Sequence, residues 1–239
     1  MSSAAGGGNL GRAIRNPGRA VGVLLELLRG HMCRLSCRLR GVRFEAGRNL
    51  RVQGRLIVKG PGRVVIGDDV TIGMTVTPWT YDRDAEIRIG SGSFLNGTRF
   101  GCARRITIGR DCILADAQIM DTDFHSTHVD RKRPDSPVRV APVEIGDNVW
   151  LAARVGVLPG TTIGRDSVVG FGAVCSGELP AGMLIAGNPA RPIRPVPGAE
   201  MSAAASEPTR EYAGPLSPKQ ERTTVAPSSR GAPAPPPRH

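Results

Sequence analysis

The residues best able to do chemistry lie in one polar segment, residues 121–142, which holds three prolines and both mid-chain histidines. A long polar loop inserted into a regular scaffold usually serves a site. His125 follows two carboxylates, Asp121 and Asp123, and an imidazole can take up and return a proton near neutral pH. Either carboxylate could orient the imidazole, or both could only solvate the loop; we favour orientation by Asp123. His128 is expected to face solvent.

The elements that must position this segment are short strands in a six-residue repeat. An aliphatic or small apolar residue returns at every sixth position in the series Ile145, Leu151, Val157, Ile163, Val169 and Cys175. A helix would need apolar residues every three to four positions, and a half-buried strand would need strict alternation. Six residues fit one strand and one corner, so three units close a coil and stacked coils bury an apolar column. The pattern therefore predicts an all-β fold, a parallel β-helix of hexapeptide repeats.

The same repeat can be followed earlier in the chain, with interruptions. Residues 41–65 alternate apolar and polar positions between glycines and are expected to form irregular first coils. Further inward positions are predicted at Ile66, Ile72, Ile89, Leu95, Ile108, Leu114 and Met120. The spacing slips by one residue between these groups, which indicates corner loops of unequal length within one stack.

An amino-terminal helix is predicted over residues 17–40, where the run VGVLLELL is followed by several arginines. The apolar run is too short to span a bilayer, and Glu26 interrupts it. No small-residue cleavage pattern follows, which argues against a secretory signal. Two roles fit this basic amphipathic helix: it caps one end of the β-helix, or it rests on anionic lipid with its arginines near the headgroups.

The two ends of the chain differ from the repeats in composition. Residues 1–16 are mainly Gly, Ala and Ser and are expected to be a disordered end. Residues 196–239, rich in Pro, Ala, Ser and Arg, lack the apolar content of a core and are expected to form a disordered tail. The β-helix domain is therefore predicted at residues 41–195.

Composition and charge narrow the classes of partner. Five cysteines are odd in number and fit no zinc spacing beyond one C-x-x-x-C, so reduced thiols in a cytoplasm are the simplest interpretation. A net charge of +11 suits an anionic partner such as a membrane surface or a phosphorylated cofactor. Nucleic acid is disfavoured, because no basic platform interleaved with aromatic residues appears.

Residues 143–194 resemble the hexapeptide-repeat acyltransferases, in particular the galactoside, maltose and exopolysaccharide O-acetyltransferase branch. The motifs that carry the resemblance are I-G-D-N-V-W from Ile145, L-P-G-T-T-I-G from Leu158 and A-G-N-P-A-R-x-I-R from Ala186. The recognisable part of the resemblance extends over residues 64–195. The resemblance implies a left-handed parallel β-helix, which is an exception to the usual right-handed crossover, and a homotrimer with its active sites between neighbouring subunits.

The resemblance also implies roles for individual residues near the acceptor. His125 matches the family's catalytic histidine, which would take the hydroxyl proton and return it to the departing thiolate. Asn96 lies where the family has an acceptor-pocket asparagine, although a corner Asn would look the same. Trp150 stands at the family's tryptophan, at the acceptor or thioester end of the groove or at the trimer seam. The family's galactoside-binding carboxylate falls near Ala103, so a free galactoside or maltose acceptor is doubtful.

A second group of residues matches the family's coenzyme A channel. The backbone N–H groups of Ala152 and Ala153 could meet the pantetheine carbonyl or the oxyanion. Arginines near the adenosine phosphate suit a dianion. The family often has Thr-Lys at positions 176 and 177, so one cationic contact is missing here. The cofactor-binding residues implied are Ala153, Phe171, Ser176, Gly177, Arg191 and Arg194.

The sequence therefore predicts a cytoplasmic, homotrimeric O-acetyltransferase that uses acetyl-coenzyme A and no metal. A saccharide or glycolipid of envelope or exopolysaccharide assembly is the expected acceptor, with peripheral membrane contact through residues 17–40 if the helix lies on lipid. N-acetylation of an amino sugar and a non-catalytic β-helix scaffold remain as alternatives. A zinc site of the carbonic anhydrase type is disfavoured, because it needs three converging histidines and only His125 and His128 lie mid-chain. Sugar-nucleotide transfer is disfavoured as well, because it needs a phosphate-binding loop and the sequence has no G-x-G-x-x-G motif ahead of the helix.

Overall fold

Short strands stacked in coils make up most of the chain, and the computed structural model describes residues 17–200. The expectations for residues 1–16 and 201–239 lie outside the described residues. Every strand pair except the last, β20 with β21, is parallel within three sheets that we call A, B and C. This arrangement confirms the predicted parallel β-helix.

The strand bounds follow the coil order: each of the first six coils has one strand in each sheet, and the last coil has β19 in sheet A and β20 and β21 in sheet B. Sheet A contains β1 (Arg43–Ala46), β4 (Arg63–Ile66), β7 (Glu86–Ile89), β10 (Arg105–Ile108), β13 (Val143–Ile145), β16 (Thr162–Ile163) and β19 (Glu178–Leu179). Sheet B contains β2 (Arg51–Val52), β5 (Thr71–Ile72), β8 (Phe94–Asn96), β11 (Ile113–Ala115), β14 (Trp150–Leu151), β17 (Val168–Val169), β20 (Met183–Ala186) and β21 (Arg191–Pro195). Sheet C contains β3 (Arg55–Leu56), β6 (Thr75–Thr80), β9 (Arg99–Cys102), β12 (Gln118–Met120), β15 (Gly156–Val157) and β18 (Val174–Cys175).

The inward side chains of each sheet form a continuous apolar column. In sheet A, Ile108 pairs with Ile145 and Ile145 with Ile163; in sheet B, Leu114 pairs with Leu151 and Leu151 with Val169. All six repeat positions predicted between residues 145 and 175 are at most 2% exposed. Each fully buried aliphatic side chain contributes about 1.5–3 kcal/mol relative to exposure. The column is therefore the core of the domain.

One predicted inward position is wrong. Met120 is half-exposed, and its neighbour Ile119 is fully buried and pairs with Phe100 and Val157. The step from Leu114 to Ile119 is one residue shorter than the step from Leu151 to Val157, their register partners in the next coil. The inward position therefore comes five residues after Leu114, one earlier than a strict hexad predicts.

The corner between sheets A and B is formed by residues that tolerate a left-handed backbone. Asn49, Asp69, Asp111, Asn148 and Asp166 have φ between 54° and 59°. Asn and Asp reach this conformation more easily than other residues with a Cβ. The amide of Asn148 also donates to the Asp166 carboxylate of the next coil, at 2.8 Å. These Asx side chains therefore both turn the chain and tie successive coils together.

Helix α1 (Pro17–Leu39) precedes the first coil and contacts β1 and β2. Cys37 is buried against this coil, and Cys33 packs beside it. Burial raises the pKa of the Cys33 thiol to about 12, with the neighbouring Cys37 adding to the shift.

The described residues contain no helix with the length and apolar character that crossing a membrane requires.

Candidate active site

The segment of residues 121–142 leaves the coil between β12 and β13, and Asp121 anchors its first residue. The Asp121 carboxylate is fully buried and accepts backbone N–H donations from Ala103, Arg104 and Arg105, each at 2.7 Å. Burial, and next the nearby Asp121 charge, raise the pKa of the Cys102 thiol. These bonds tie the start of the loop to the corner between β9 and β10, so Asp121 is a structural anchor.

The two ends of the loop then pair with each other. Thr122 and Val140 form an isolated antiparallel bridge, and the Asp123 N–H donates to the Arg139 carbonyl at 3.1 Å. The Ala141 N–H donates to the Asp121 carbonyl at 2.9 Å. The loop therefore begins and ends in a short two-stranded neck, which limits the movement of the residues next to it.

Phe124 wedges the loop against the outer face of sheet C. Its backbone has φ +61°, a left-handed conformation that costs a non-glycine residue about 1–3 kcal/mol. The ring packs over Gly101, where an added Cβ would lie 2.5 Å from the ring Cζ, and meets Tyr81 edge-on with 5.0 Å between ring centroids. Tertiary packing therefore selects the backbone conformation of the residue immediately before His125.

His125 presents its side chain to solvent. Its backbone N–H donates to the Asp123 carbonyl at 2.7 Å, and within residues 17–200 its imidazole has no hydrogen-bond partner. The Asp123 carboxylate is likewise not bonded to the imidazole in this part of the chain. His128 is also exposed, and its Nδ1 accepts from the Asp130 N–H at 3.2 Å in a local turn. His125 is thus held by its backbone while its ring nitrogens remain open.

An aromatic cluster beside His125 was not anticipated from the sequence. Trp79 and Tyr81 stack with 5.2 Å between centroids, Phe124 meets Tyr81, and the Lys59 Nζ lies 5.0 Å from the centre of the Trp79 ring. The three rings remain 37–42% exposed. Burial raises the pKa of Tyr81, whose hydroxyl has no hydrogen-bond partner within residues 17–200. The sequence signal that could have revealed this cluster is the pair Trp79 and Tyr81, two residues apart at the end of β6 in a chain with few aromatics.

The two predicted acceptor residues lie apart from this cluster. Asn96 accepts the Met74 N–H at 2.9 Å through its side-chain oxygen, so its carbonyl supports the neighbouring corner. Trp150 is 47% exposed on the outer face of sheet B, whereas the loop leaves from sheet C. It belongs to an apolar row of register partners, which we call the sheet B ladder and which comprises Phe94, Ile113, Trp150, Val168 and Leu184.

Four of the six predicted coenzyme A residues divide between two corners that border sheet C. Ala153 and Phe171 lie at the corner that follows sheet B, where the Gly172 N–H donates to the Ala153 carbonyl at 3.1 Å. Ser176 and Gly177 lie at the opposite corner, from which the loop also leaves. One described chain therefore does not bring all of these residues to one point.

The backbone donors at the first of these corners differ. The Ala152 N–H is used, because it donates to the Val169 carbonyl at 2.9 Å. The Ala153 N–H has no acceptor within residues 17–200. Next to it, the Arg154 guanidinium lies 6.0 Å from the centre of the Phe171 ring, which is 70% exposed. Arg154 was missed by sequence reasoning, because nothing in its local spacing separates it from other surface arginines.

Arg191 and Arg194 lie on β21 with exposed side chains. Their guanidinium groups donate only to nearby main-chain carbonyls, of Ala190 at 2.9 Å and of Pro195 at 3.2 Å, and neither pairs with a carboxylate in residues 17–200. Arg48, by contrast, is paired with Asp68 at 2.9 Å.

The described residues also contain no group of three or more His, Cys, Asp and Glu side chains arranged to hold a metal.

Residues 142–177 match the family model described as bacterial transferase hexapeptide, six repeats. These residues form the coils from β13 to β18, so the matched repeats agree with the observed parallel β-helix. The resemblance inferred from the sequence motifs is thereby confirmed.

Curated relatives of this hexapeptide-repeat chain have transferase names. A protein of Schizosaccharomyces pombe assigned as an acetyltransferase is 36% identical over 121 residues, which are 50% of this chain and 58% of that protein. The galactoside O-acetyltransferase of Escherichia coli is 32% identical over 38% of this chain and 44% of that enzyme. An Escherichia coli protein assigned as a lipopolysaccharide biosynthesis O-acetyl transferase is 29% identical over 57% of this chain and 74% of that protein. The chain thus spans about half the length of the first two.

Proposed function

We propose that this protein transfers an acetyl group from acetyl-coenzyme A to a sugar hydroxyl, with His125 as general base. The observation that carries the proposal is the His125 imidazole, which is exposed and unbonded within the described residues while its backbone is held by an anchored loop. The imidazole accepts the hydroxyl proton as the oxygen attacks the thioester carbonyl, and returns it to the departing coenzyme A thiolate. Asp123, adjacent and half-buried, is proposed to orient the imidazole once substrates are bound.

The developing oxyanion requires a hydrogen-bond donor that is already in place. The Ala153 N–H is a suitable donor, because it has no acceptor within residues 17–200 and its own side chain is small. The Ala152 N–H is already used by the coil. The free N–H supports a role for Ala153 at the thioester end of the coenzyme A channel.

The phosphates of coenzyme A require cations that are not already neutralised. Arg191 and Arg194 meet this condition in the described residues, and a guanidinium can bind a phosphate through two N–H groups. Arg154, above Phe171, supplies a further cation and an exposed ring face. Ser176 and Gly177 complete the proposed channel at the opposite corner.

The acceptor is proposed to be a saccharide or glycolipid of envelope or exopolysaccharide assembly. The exposed rings of Trp79, Tyr81 and Phe124, next to His125, combine apolar faces with a free phenol hydroxyl, as suits a sugar ring. The names of the Escherichia coli relatives, which mention a galactoside and lipopolysaccharide, agree with a sugar acceptor. Asn96 and Trp150 are kept as proposed acceptor-binding residues.

We further propose that the active unit is a cytoplasmic homotrimer. The proposed coenzyme A residues occupy two corners of one chain, and Trp150 lies on another sheet, so a site between subunits would reunite them. The sheet B ladder is an exposed apolar surface that a neighbouring copy can cover, with Phe94, Ile113 and Trp150 36–47% exposed. A cytoplasmic location would agree with unpaired cysteines and a coenzyme A thioester donor.

The test is acetyl transfer from acetyl-coenzyme A to a panel of lipid-linked and free saccharides, with amino sugars included to detect N-acetylation. His125→Ala should lower kcat by about 10²–10⁴-fold while leaving coenzyme A binding, measured by calorimetry, unchanged. His128→Ala is the matched control, since it removes an exposed histidine three residues away and should leave kcat within twofold, about the scatter of a surface change. Full kcat in His125→Ala would refute the assignment of the base.

A separate variant tests the cofactor residues. Arg191→Ala with Arg194→Ala should raise the Kd for coenzyme A by about 10-fold or more with little change in kcat, because charge-assisted bonds to phosphate are lost. Arg48→Ala with Arg51→Ala removes the same charge away from the channel and should leave the Kd unchanged. An equal rise in the Kd for both pairs would show that coenzyme A responds only to the net charge of the protein, and would refute the assignment of Arg191 and Arg194. Light scattering on the same samples reports whether the protein is a trimer.

A further inference from the structure

Helix α1 carries a row of exposed apolar residues that the fold does not cover. We call this row the outer stripe and define it as Val21, Leu25, Leu28, Met32, Leu35 and Leu39. Their side chains are 48–79% exposed. The spacing alternates between four and three residues along the whole helix, so the row forms one narrow band on one face.

The opposite face of α1 is the one that packs on the first coil. Gly30 and Cys37 are buried, and Leu27 and Cys33 are partly buried. At about 100° per residue these positions lie on the far side of the helix from the outer stripe. The contact between α1 and the β-helix therefore cannot account for the stripe, and six large apolar side chains in one row are more than scattered surface residues explain.

The charges beside the stripe identify the kind of surface that would cover it. Arg29 and Arg40 lie on one side of the stripe and Arg38 on the other, all exposed. Glu26 is the only acidic residue of α1, and it is half-buried on the packed side. A coiled coil between two copies of this helix would bring basic flanks together without an acidic partner, which is unfavourable. Anionic headgroups would pair with the same arginines.

We propose that the outer stripe of α1 lies in the interfacial layer of a membrane that contains anionic lipid. The helix lies parallel to the surface, with its leucines among the upper acyl chains and the flanking arginines at the headgroups. At about 1.5 Å per residue the stripe from Val21 to Leu39 places an apolar edge roughly 27 Å long against the lipid. This contact is independent of the proposed acyl transfer and would hold equally for a chain without catalysis.

The experiment is co-sedimentation of the full chain with vesicles of phosphatidylcholine alone and of phosphatidylcholine mixed with phosphatidylglycerol. The unmodified protein should partition to the anionic vesicles and much less to the neutral ones. Leu28→Gln with Leu35→Gln should weaken partitioning at least about tenfold, because buried apolar area is lost. Arg38→Gln with Arg40→Gln should reduce the preference for phosphatidylglycerol. Val129→Gln with Val138→Gln, a control pair at exposed positions outside α1, should bind as the unmodified protein does.

Circular dichroism and light scattering on every variant separate the competing explanations. The stripe positions are exposed, so the stripe variant should keep its spectrum and its oligomeric state. A stripe variant that dissociates to a smaller oligomer while still binding vesicles would show that a second copy covers the stripe, and would overturn the proposal. Failure of the unmodified protein to bind anionic vesicles would also overturn it.

Discussion

The coils from Val143 to Ala186 and the loop at residues 121–142 are held in place by different kinds of interaction. In the coils, every sixth side chain from Ile145 to Cys175 is buried in a column, and the strands pair with those of the neighbouring coils. The loop has no such repeat and depends on a few individual contacts made by Asp121, Thr122 and Phe124. The coils therefore supply stability by many equivalent contacts, whereas the position of His125 depends on a handful of specific ones.

The largest effect is expected from breaking the column. Leu151→Ala removes a fully buried side chain between Leu114 and Val169, and it should lower the free energy of unfolding by about 2–5 kcal/mol. Val129→Ala in the loop, at 83% exposure, should change it by less than about 0.5 kcal/mol. Chemical denaturation of both variants measures the contrast, and similar losses would show that the loop shares the stability of the coils.

The anchor of the loop should come next in size. Asp121→Ala leaves three backbone N–H groups without their carboxylate acceptor and should cost about 2–3 kcal/mol. Hydrogen exchange should rise at Ala103 and in the loop, while the coils after Val143 stay protected. Asp135→Ala removes an exposed loop carboxylate paired with Arg133 and is the matched control, with less than about 1 kcal/mol expected. Uniform loss of protection across the chain would contradict the proposal that Asp121 holds the loop without stabilising the coils after Val143.

A smaller effect on stability, with a larger one on activity, is expected at Gly101. Gly101→Ala places a Cβ 2.5 Å from the Phe124 ring and should displace the residue before His125. We expect about 1–2 kcal/mol of lost stability and at least about a tenfold fall in kcat, with KM little changed. Gly156→Ala, on the same sheet, has its nearest neighbour at 3.9 Å and should leave kcat unaltered. Equal kcat values for the two variants would show that the packing of Phe124 on Gly101 does not position the loop.

The smallest expected change concerns the cysteines inside the coils, whose reactivity depends on whether the coils open. Burial raises the pKa of Cys112 and Cys175 to about 11. Because only the thiolate reacts, a pKa of about 11 leaves about one thiol in 1,000 ionised at pH 8, before any steric shielding is added. Alkylation of the native protein should therefore be slow at both residues and should accelerate as the pH rises towards 11. Rapid labelling at pH 8 would show that the coils open readily.

The repeat region could be predicted because its fold is encoded locally. Each inward residue from Ile145 to Cys175 occupies the same position in its own six-residue unit, and an Asx corner recurs once per coil. The prediction was wrong at Met120, where a corner lost one residue and the buried position moved to Ile119. Nothing in the residues near Met120 reveals the shorter corner, since it becomes evident only when the strand is paired with those on either side.

The scaffold and the candidate base could be inferred from the sequence, because a hexapeptide period and the surrounding motifs are properties of neighbouring residues. The environment of His125 depends on the folded chain. The Asp121 anchor and the packing of Phe124 on Gly101 and Tyr81 join residues from different coils. Side chains that are far apart along the chain meet only after the coils have stacked, so their contacts leave no periodic signal in the sequence.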